Sequence, residues 1–295
     1  MDDAEAEAAI DLHMHSIASD GTDSIQELLE NVRSGGIRTF SLTDHDTIDG
    51  VMEMESIVPK DMTFIRGIEF SCITAAGKCH ILGYGYDKDA LAFRDILQLG
   101  KEKRRDKLRR RFEFLSENFG IEIPEAEREM LFSKNSVGKP HLGNLLVSMG
   151  LAENKDAAIE KYINPCKTGS NRLPVGDVIR AILTAGGIPV WAHPYGGTGE
   201  RVLSQEEFEQ QLHILLEAGV RGLECFYSEY NADQVASLVG TARGNGLLIS
   251  GGSDYHGANK KVALGTLNAY GGLVTEDEIT ILKKVNTFKS YPHQV

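Results

Sequence analysis

Asp11-Leu12-His13-Met14-His15-Ser16 closes a short apolar run at residues 9–14 and sets the reading of the whole chain. Side chains of a strand alternate between its faces, so His13 and His15 point the same way from one strand end. Similar groups recur downstream. Asp20 lies in Ser-Asp-Gly, His45 in Thr-Asp-His-Asp, Glu69 in Gly-Ile-Glu-Phe-Ser and His80 in His-Ile-Leu-Gly-Tyr. His193 lies in Ala-His-Pro, and Asp254 and His256 lie in Gly-Ser-Asp-Tyr-His-Gly. Imidazoles and carboxylates are the usual protein ligands of zinc, iron and manganese. One ion needs three or four of them. Nine therefore point to two or three ions, and paired ions suit in-line attack at phosphorus.

Around these residues strands alternate with helices. Ser24 with Glu27 is a capping box, Ile25, Leu28, Leu29 and Val32 mark one helical face, and Gly35-Gly36 stops the helix. Residues 38–43, 62–68 and 79–84 read as strands, with Asp44-His45-Asp46 ending the first of these. After Pro174, a helix at 175–185 stops at Gly186-Gly187 and a strand at 188–192 ends at His193. Ser204 with Glu207 opens a helix that stops at Gly219, and strands at 221–226 and 246–250 flank a helix at 231–243. This alternation predicts a mostly parallel sheet, and parallel barrels gather reactive residues at the C-terminal strand ends. His13, His15, His45, Glu69, His193, Asp254 and His256 all fall at or just after such an end. Gly21, Gly67, Gly251, Gly252 and Gly257 permit tight turns beside them.

The pattern changes between 91 and 173. Leu108, Phe112, Leu115 and Phe119 form a helical stripe, and Asn144–Met149 and the segment capped by Asn154 are helical too. The reading is an inserted helical subdomain, residues 91–173, in a metal-binding barrel of residues 8–90 and 174–295. Residues 101–111 hold eight basic and two acidic side chains. They read as a solvated helix face, with Arg105 or Arg109 placed to meet a phosphate.

A net charge of −12 argues against sequence-independent binding of long nucleic acid. Bound cations would offset part of that charge. The four cysteines form no Cys-x-x-Cys pair and read as thiols of a reducing compartment. The opening Met-Asp-Asp-Ala-Glu-Ala-Glu has no basic or apolar leader character, and no apolar run is long enough for a membrane span. The expectation is a cytoplasmic protein without a membrane or protein partner.

His-x-His, Thr-Asp-His, Ala-His-Pro and Ser-Asp-x-His, in this order, resemble the four signature motifs of the polymerase-and-histidinol-phosphatase (PHP) superfamily. The resemblance covers nearly the whole chain. It implies an α/β fold, a distorted (β/α)7 barrel with the inserted helical subdomain, and a metal-dependent phosphoesterase. His13, His15, Glu69 and Asp254 would hold a first ion, Glu69, His80 and His193 a second, and Asp20, His45 and His256 a third. Glu69, His193 and Asp254 would be the catalytic set around a water that loses its proton between two ions. Manganese is favoured by resemblance, and iron or zinc also suit the ligands. The position of the insertion looks like the branch that hydrolyses 3′,5′-nucleotide bisphosphates or trims short RNA from its 5′ end. Gly138-Lys139-Pro140-His141 looks like that branch's Arg-Pro-His motif, with lysine replacing arginine and a point charge replacing a bidentate grip. Lys139, His141 and Tyr195 are the substrate-binding candidates. The alternatives are a histidinol-phosphate phosphatase and a non-catalytic metal-binding scaffold. Asp44 stands either as the group that orients a ligating imidazole or as a helix cap.

Overall fold

The computed structural model describes residues 9–133, 137–168, 172–199 and 201–285. β1 (Ala9–Asp11) leads into α1 (Ile25–Ser34), β2 (Ile37–Leu42), α2 (Asp49–Ile57), β3 (Thr63–Ile73) and β4 (Lys78–Tyr84). Next come α3 (Leu91–Phe119), α4 (Glu125–Ser133), α5 (Lys139–Ser148) and α6 (Lys155–Ala158), the last running into a π turn at Ile159–Ile163. β5 (Leu173–Pro174), α7 (Val175–Thr184), β6 (Ile188–Trp191), α8 (Gln205–Ala218), β7 (Gly222–Tyr227), α9 (Ala232–Gly244) and β8 (Leu248–Gly252) complete the order.

Local chemistry sets the helix ends. Ser24 and Glu27 cap α1 reciprocally, Ser204 and Glu207 do the same for α8, and α8 stops at left-handed Gly219. Asn231 and Gln234 cap α9 in the same way. The helices lay their apolar faces on a sheet of lateral order β1-β2-β3-β4-β6-β7-β8, with β5 beside β3. Backbone bonds join the β1 and β8 edges beyond the named strands. Leu12 N donates to Gly251 O (3.2 Å), Asp254 N to His13 O (2.7 Å) and His15 N to Tyr255 O (2.8 Å). The result is a nearly closed seven-stranded barrel. Gly252 makes this approach possible, because a side chain there would collide with the backbone and Cβ of His13. Its role is close packing rather than a turn.

β4 is the exception in a mostly parallel barrel, antiparallel to both β3 and β6. Its beginning therefore lies at the end where its neighbours finish, which brings His80 to the barrel mouth. β3 runs on to Ile73, five residues past the expected end at 68, because it pairs with β4 as a long hairpin. Glu69 thus sits within a strand, opposite Leu82, and not after one.

The helices between β4 and β5 have a core of their own. Phe93 and Ile96, early in α3, pack with the barrel. From Leu108 onward α3 joins Phe112, Leu115, Ile123, Leu142, Leu146, Tyr162 and Ile163 in a separate apolar cluster. Phe119, the last member of the expected stripe, is half exposed and meets Tyr162 edge-on.

Candidate metal centre

The barrel mouth brings all nine sequence-selected residues together. His13, His15, Glu69 and Asp254 form one buried group of potential metal donors, and His15, Asp20, His45 and His256 form another. In the first, His13 Nε2 lies 3.2 Å from His15 Nε2, 3.4 Å from Glu69 Oε2 and 3.5 Å from Asp254 Oδ1. His15 Nε2 is 3.2 Å from Glu69 Oε2 and 3.3 Å from Asp254 Oδ1. Metal–ligand bonds of about 2.0–2.2 Å in a tetrahedron put donors roughly 3.3–3.6 Å apart. The four atoms are therefore spaced as the corners around one ion.

The other oxygen of Glu69 faces a second set. Oε1 is 2.9 Å from His80 Nδ1 and 3.0 Å from His193 Nε2, and these two nitrogens are 3.3 Å apart. One carboxylate thus serves two donor groups through different oxygens. At the outer side, His256 Nε2 is 3.3 Å from Asp20 Oδ1, and His45 Nε2 is 3.9 Å from Asp20 Oδ2. His45 Nδ1 is buried 3.0 Å from Glu69 Oε2, yet it makes no aligned hydrogen bond. An orphaned ring nitrogen among carboxylates, and Nε2 atoms facing each other, are arrangements that a cation resolves. The residues present fit divalent metal ions.

Electrostatics give the same account. Burial disfavours charge on His13, but Glu224, Glu69 and Asp254 overcome it and hold its pKa well above the usual imidazole value. Burial likewise opposes protonation of His15, and Asp254 and Glu69 still raise it to about 9. Burial would raise the Glu69 carboxyl, and the imidazoles of His45, His80 and His13 instead hold it well below the ordinary range. Asp254 is held low against its burial by Lys260, His13 and His256. Acidic neighbours thus favour positive charge at the inner pair His13 and His15, whereas burial lowers His45 and His256.

Several supporting residues escaped the sequence reading. Glu224, fully buried in β7, accepts from His13 Nδ1 (2.8 Å) and from the backbone N–H of His193 (2.7 Å). This fixes the His13 tautomer with Nε2 turned to the cluster. The signal was a lone carboxylate in the apolar run Gly222–Tyr227. Asp11 accepts from Ser253 N (2.9 Å), Ser253 Oγ (2.5 Å) and Gly265 N (2.8 Å), anchoring the loop that bears Asp254. Tyr227 Oη donates to Asp254 Oδ2 at 2.9 Å and Lys260 Nζ lies 2.5 Å from the same oxygen, leaving Oδ1 for the cluster. The His256 ring donates from Nδ1 to Asp254 O at 2.8 Å, so Nε2 faces Asp20. His193 and Asp254 hold positive φ of 29° and 57°, unusual for non-glycine residues.

Asp44 caps no helix and bonds no imidazole directly. It accepts from Ser16 N, Ser16 Oγ and Ser19 Oγ at 2.6–2.8 Å and so clamps the loop after β1. Its link to a ligand is indirect, since Ser19 Oγ is 3.4 Å from His15 Nδ1.

The substrate candidates make contacts of their own. The His141 ring accepts the Gly138 N–H at 3.2 Å and closes the first turn of α5. Tyr195 packs between Phe208 and Tyr230, and its hydroxyl meets Ser237 of α9 at 2.9 Å. Neither residue lines the cavities at the barrel mouth. Arg105 and Arg109 are exposed and bond Phe132 O and Asp106. Other members of the same run turn inward. Arg104, Lys107 and Arg111 line a cavity of about 540 Å3 with Lys139, Arg172 and the site residues Asp20, His45 and His80. Helix periodicity explains the choice, because 104, 107 and 111 share a face that 105 and 109 do not. Arg104 pairs with Asp46. Arg111 is 4% exposed and has no hydrogen bond or ion pair among the described residues. Burial, with Arg111, Arg104, Arg172 and Lys139 nearby, lowers Lys107 to about 7.

Known proteins share this architecture. The PHP domain model matches residues 11–162, just over half of the chain. A 5′-3′ exoribonuclease from Haemophilus influenzae is 32% identical over 255 residues, covering 83% of this chain and 89% of the relative. A 3′,5′-nucleoside bisphosphate phosphatase from Chromobacterium violaceum is 26% identical over 253 residues, covering 84% and 87%. The crystal structure of a candidate metal-dependent phosphoesterase from Bifidobacterium adolescentis superposes with a TM-score of 0.75 at 26% identity, covering 94% of this chain and 96% of that one. With the family model matched over more than half of the chain and a relative 32% identical over 83% of it, the chain belongs to the PHP family of metal-dependent phosphoesterases.

Proposed function

We propose that the protein is a hydrolase that cleaves a phosphate ester of a small nucleotide, either a nucleoside 3′,5′-bisphosphate or a short 5′-phosphorylated oligonucleotide. The observation that carries this reading is the cationic cavity sharing Asp20, His45 and His80 with the donor cluster. A buried guanidinium without a hydrogen bond or ion pair among the described residues and a lysine lowered to about 7 form a costly assembly until an anion arrives. A substrate with a second phosphate near the scissile one meets that need. The names of the Haemophilus and Chromobacterium relatives describe such substrates. Histidinol phosphate has a cationic leaving group, which these side chains repel.

In this reading the first ion belongs to His13, His15, Glu69 and Asp254, the second to Glu69, His80 and His193, and a third to Asp20, His45 and His256. Divalent ions supply an activated water and neutralise charge on the phosphoryl oxygens. We favour manganese among the metals that suit these donors. Glu69 spaces the two inner sets, Glu224 and Asp254 fix the imidazole orientations, and Lys107, Arg111, Lys139 and Arg172 hold the second phosphate. Residues 91–173 then act as the substrate-binding insertion on a barrel of residues 8–90 and 174–295. The complete donor set speaks against a non-catalytic scaffold. Among the described residues no helix is long and apolar enough to cross a membrane. The four cysteines are present as thiols, which fits the cytoplasm.

Phosphate release from a panel of nucleotides and histidinol phosphate, with protein loaded with manganese, iron or zinc, tests the reading. Nucleotides carrying two phosphates should be turned over fastest. Histidinol phosphate outpacing all of them, or no hydrolysis with any metal, would overturn it.

A further inference from the structure

A second cavity, of about 570 Å3, opens against His80 and His193. Its walls are the tip of the β3–β4 hairpin, the end of β6 with the loop beyond it, and α8. Leu203, Pro194 and the edge of Trp191 make part of it apolar. Gln211 of α8 lines it and is only 2% exposed. One end of this carboxamide is anchored, with Oε1 accepting from Thr74 Oγ1 at 2.7 Å. The other end, Nε2, is buried without a hydrogen-bond partner. The neighbouring polar group on α8 is committed elsewhere: Glu207 accepts from Arg201 through both oxygens at 2.7 and 2.9 Å.

We infer that this cavity receives the nucleobase of the substrate and that Gln211 selects among bases through a hydrogen bond to the base edge. The inference rests on the nucleotide reading above. A buried polar group is costly to leave unmet, and a cavity that sets one such group beside the apolar Leu203, Pro194 and Trp191 and the basic Lys139 and Arg172 fits a heterocycle with a polar edge carried on a phosphorylated sugar. The volume lies within the roughly 300–1,000 Å3 usual for ligand sites. Position supports the same assignment. His80, Lys139, Arg172 and Gly199 line both this cavity and the cationic one. A substrate with one phosphate at the donor cluster and one among the cations therefore has its nucleoside beside this opening. Unmet polar groups discriminate strongly, because a base that cannot pair with the amide leaves it buried and unsatisfied.

The test compares the adenine, guanine, cytosine and uracil nucleoside 3′,5′-bisphosphates, with p-nitrophenyl phosphate as the reference that lacks a base. The wild-type ratio of kcat/KM for the best nucleotide to that for the reference should fall about tenfold in Gln211→Met. Gln211→Glu, which offers only acceptors, should change the order of the bases. Thr74→Val, which releases the carboxamide from its anchor, should lower the discrimination as well. An unchanged base order and ratio in all three variants would overturn the inference. Saturation-transfer NMR of the four free nucleosides on metal-stripped protein gives an independent readout. Binding to the wild type that is lost in Gln211→Met supports the cavity as the base site, and absence of binding to the wild type rejects it. If no nucleotide is hydrolysed, the proposed function fails separately, and the nucleoside measurement still decides this site.

Discussion

The barrel mouth and the insertion's inner face are two unbalanced charge systems side by side. At the mouth, Glu69, Asp20 and Asp254 converge with six imidazoles in groups that could hold divalent cations. In the helices between β4 and β5, Lys107, Arg111, Lys139 and Arg172 crowd one cavity that Asp20, Asp46 and Asp156 also line, and Arg111 and Lys107 form no ion pair among the described residues. The first region is held by strand ends, hydrogen bonds and a buried second layer. The second stands on long flexible side chains from helices with their own core. The difference is one of scaffold: strand ends hold polar atoms at close, fixed spacings, whereas helices gather like charge around one cavity.

The largest expected effect comes from breaking the mouth. Glu69→Ala, His193→Ala or Asp254→Ala should reduce turnover by roughly a thousandfold or more, as loss of an ion removes several kcal/mol of transition-state stabilisation. Elemental analysis of the same variants should show fewer bound metal ions. Near-normal rates would show that the donor assignment is wrong.

Glu224→Gln tests the layer behind the donors. It keeps the shape but removes the charge that orients His13, and should lower metal affinity or activity by about 10–100-fold. Metal titration of stripped protein gives the number directly, and an unchanged affinity would reduce Glu224 to a packing role.

Arg111→Met probes the other side of the comparison and should have a mixed outcome. Activity on a bisphosphate should fall by about tenfold or more through KM, because a charged hydrogen bond is lost. The ligand-free protein should become more stable, by roughly 1–3 kcal/mol, because a buried charge with no partner among the described residues is gone. Chemical denaturation measures this, and a destabilised variant would mean that the guanidinium is satisfied in the native protein.

The smallest effect is a pH dependence. The folded Lys107 is lowered to about 7 from the usual 10.5 by burial and its cationic neighbours. Between these values the unfolded chain binds the extra proton, so stability of the ligand-free protein should rise with pH from about 7 to 10.5. Phosphate affinity should move oppositely, falling as pH rises above about 7 and the amine loses its charge. Lys107→Met should flatten both trends. Stability curves and KM for a bisphosphate across this range provide the check.

The primary sequence pointed to the barrel and to the nine residues gathered at its mouth, because His-x-His, Thr-Asp-His, Ala-His-Pro and Ser-Asp-x-His sit where strand–helix periodicity places strand ends. Capping boxes at Ser24 and Ser204 were equally legible, since their partners lie three residues away. The antiparallel course of β4, which delivers His80, was not, because pairing direction depends on distant chain. Glu224 and Asp11 were hidden for the same reason: their partners lie up to 254 residues away, and a carboxylate in an apolar run does not name its imidazole. The basic run at 101–111 displayed its charge, but only packing of α3 against the barrel and the insertion decided that Arg104, Lys107 and Arg111, not Arg105 and Arg109, face the cavity. His141 and Tyr195 were chosen on motif and proximity along the chain; in the fold the His141 ring bonds Gly138 in its own helical turn, and Tyr195 packs against Phe208 and Tyr230. Residue type sets which chemistry is available, and the folded backbone sets which groups come within the few ångströms where that chemistry acts.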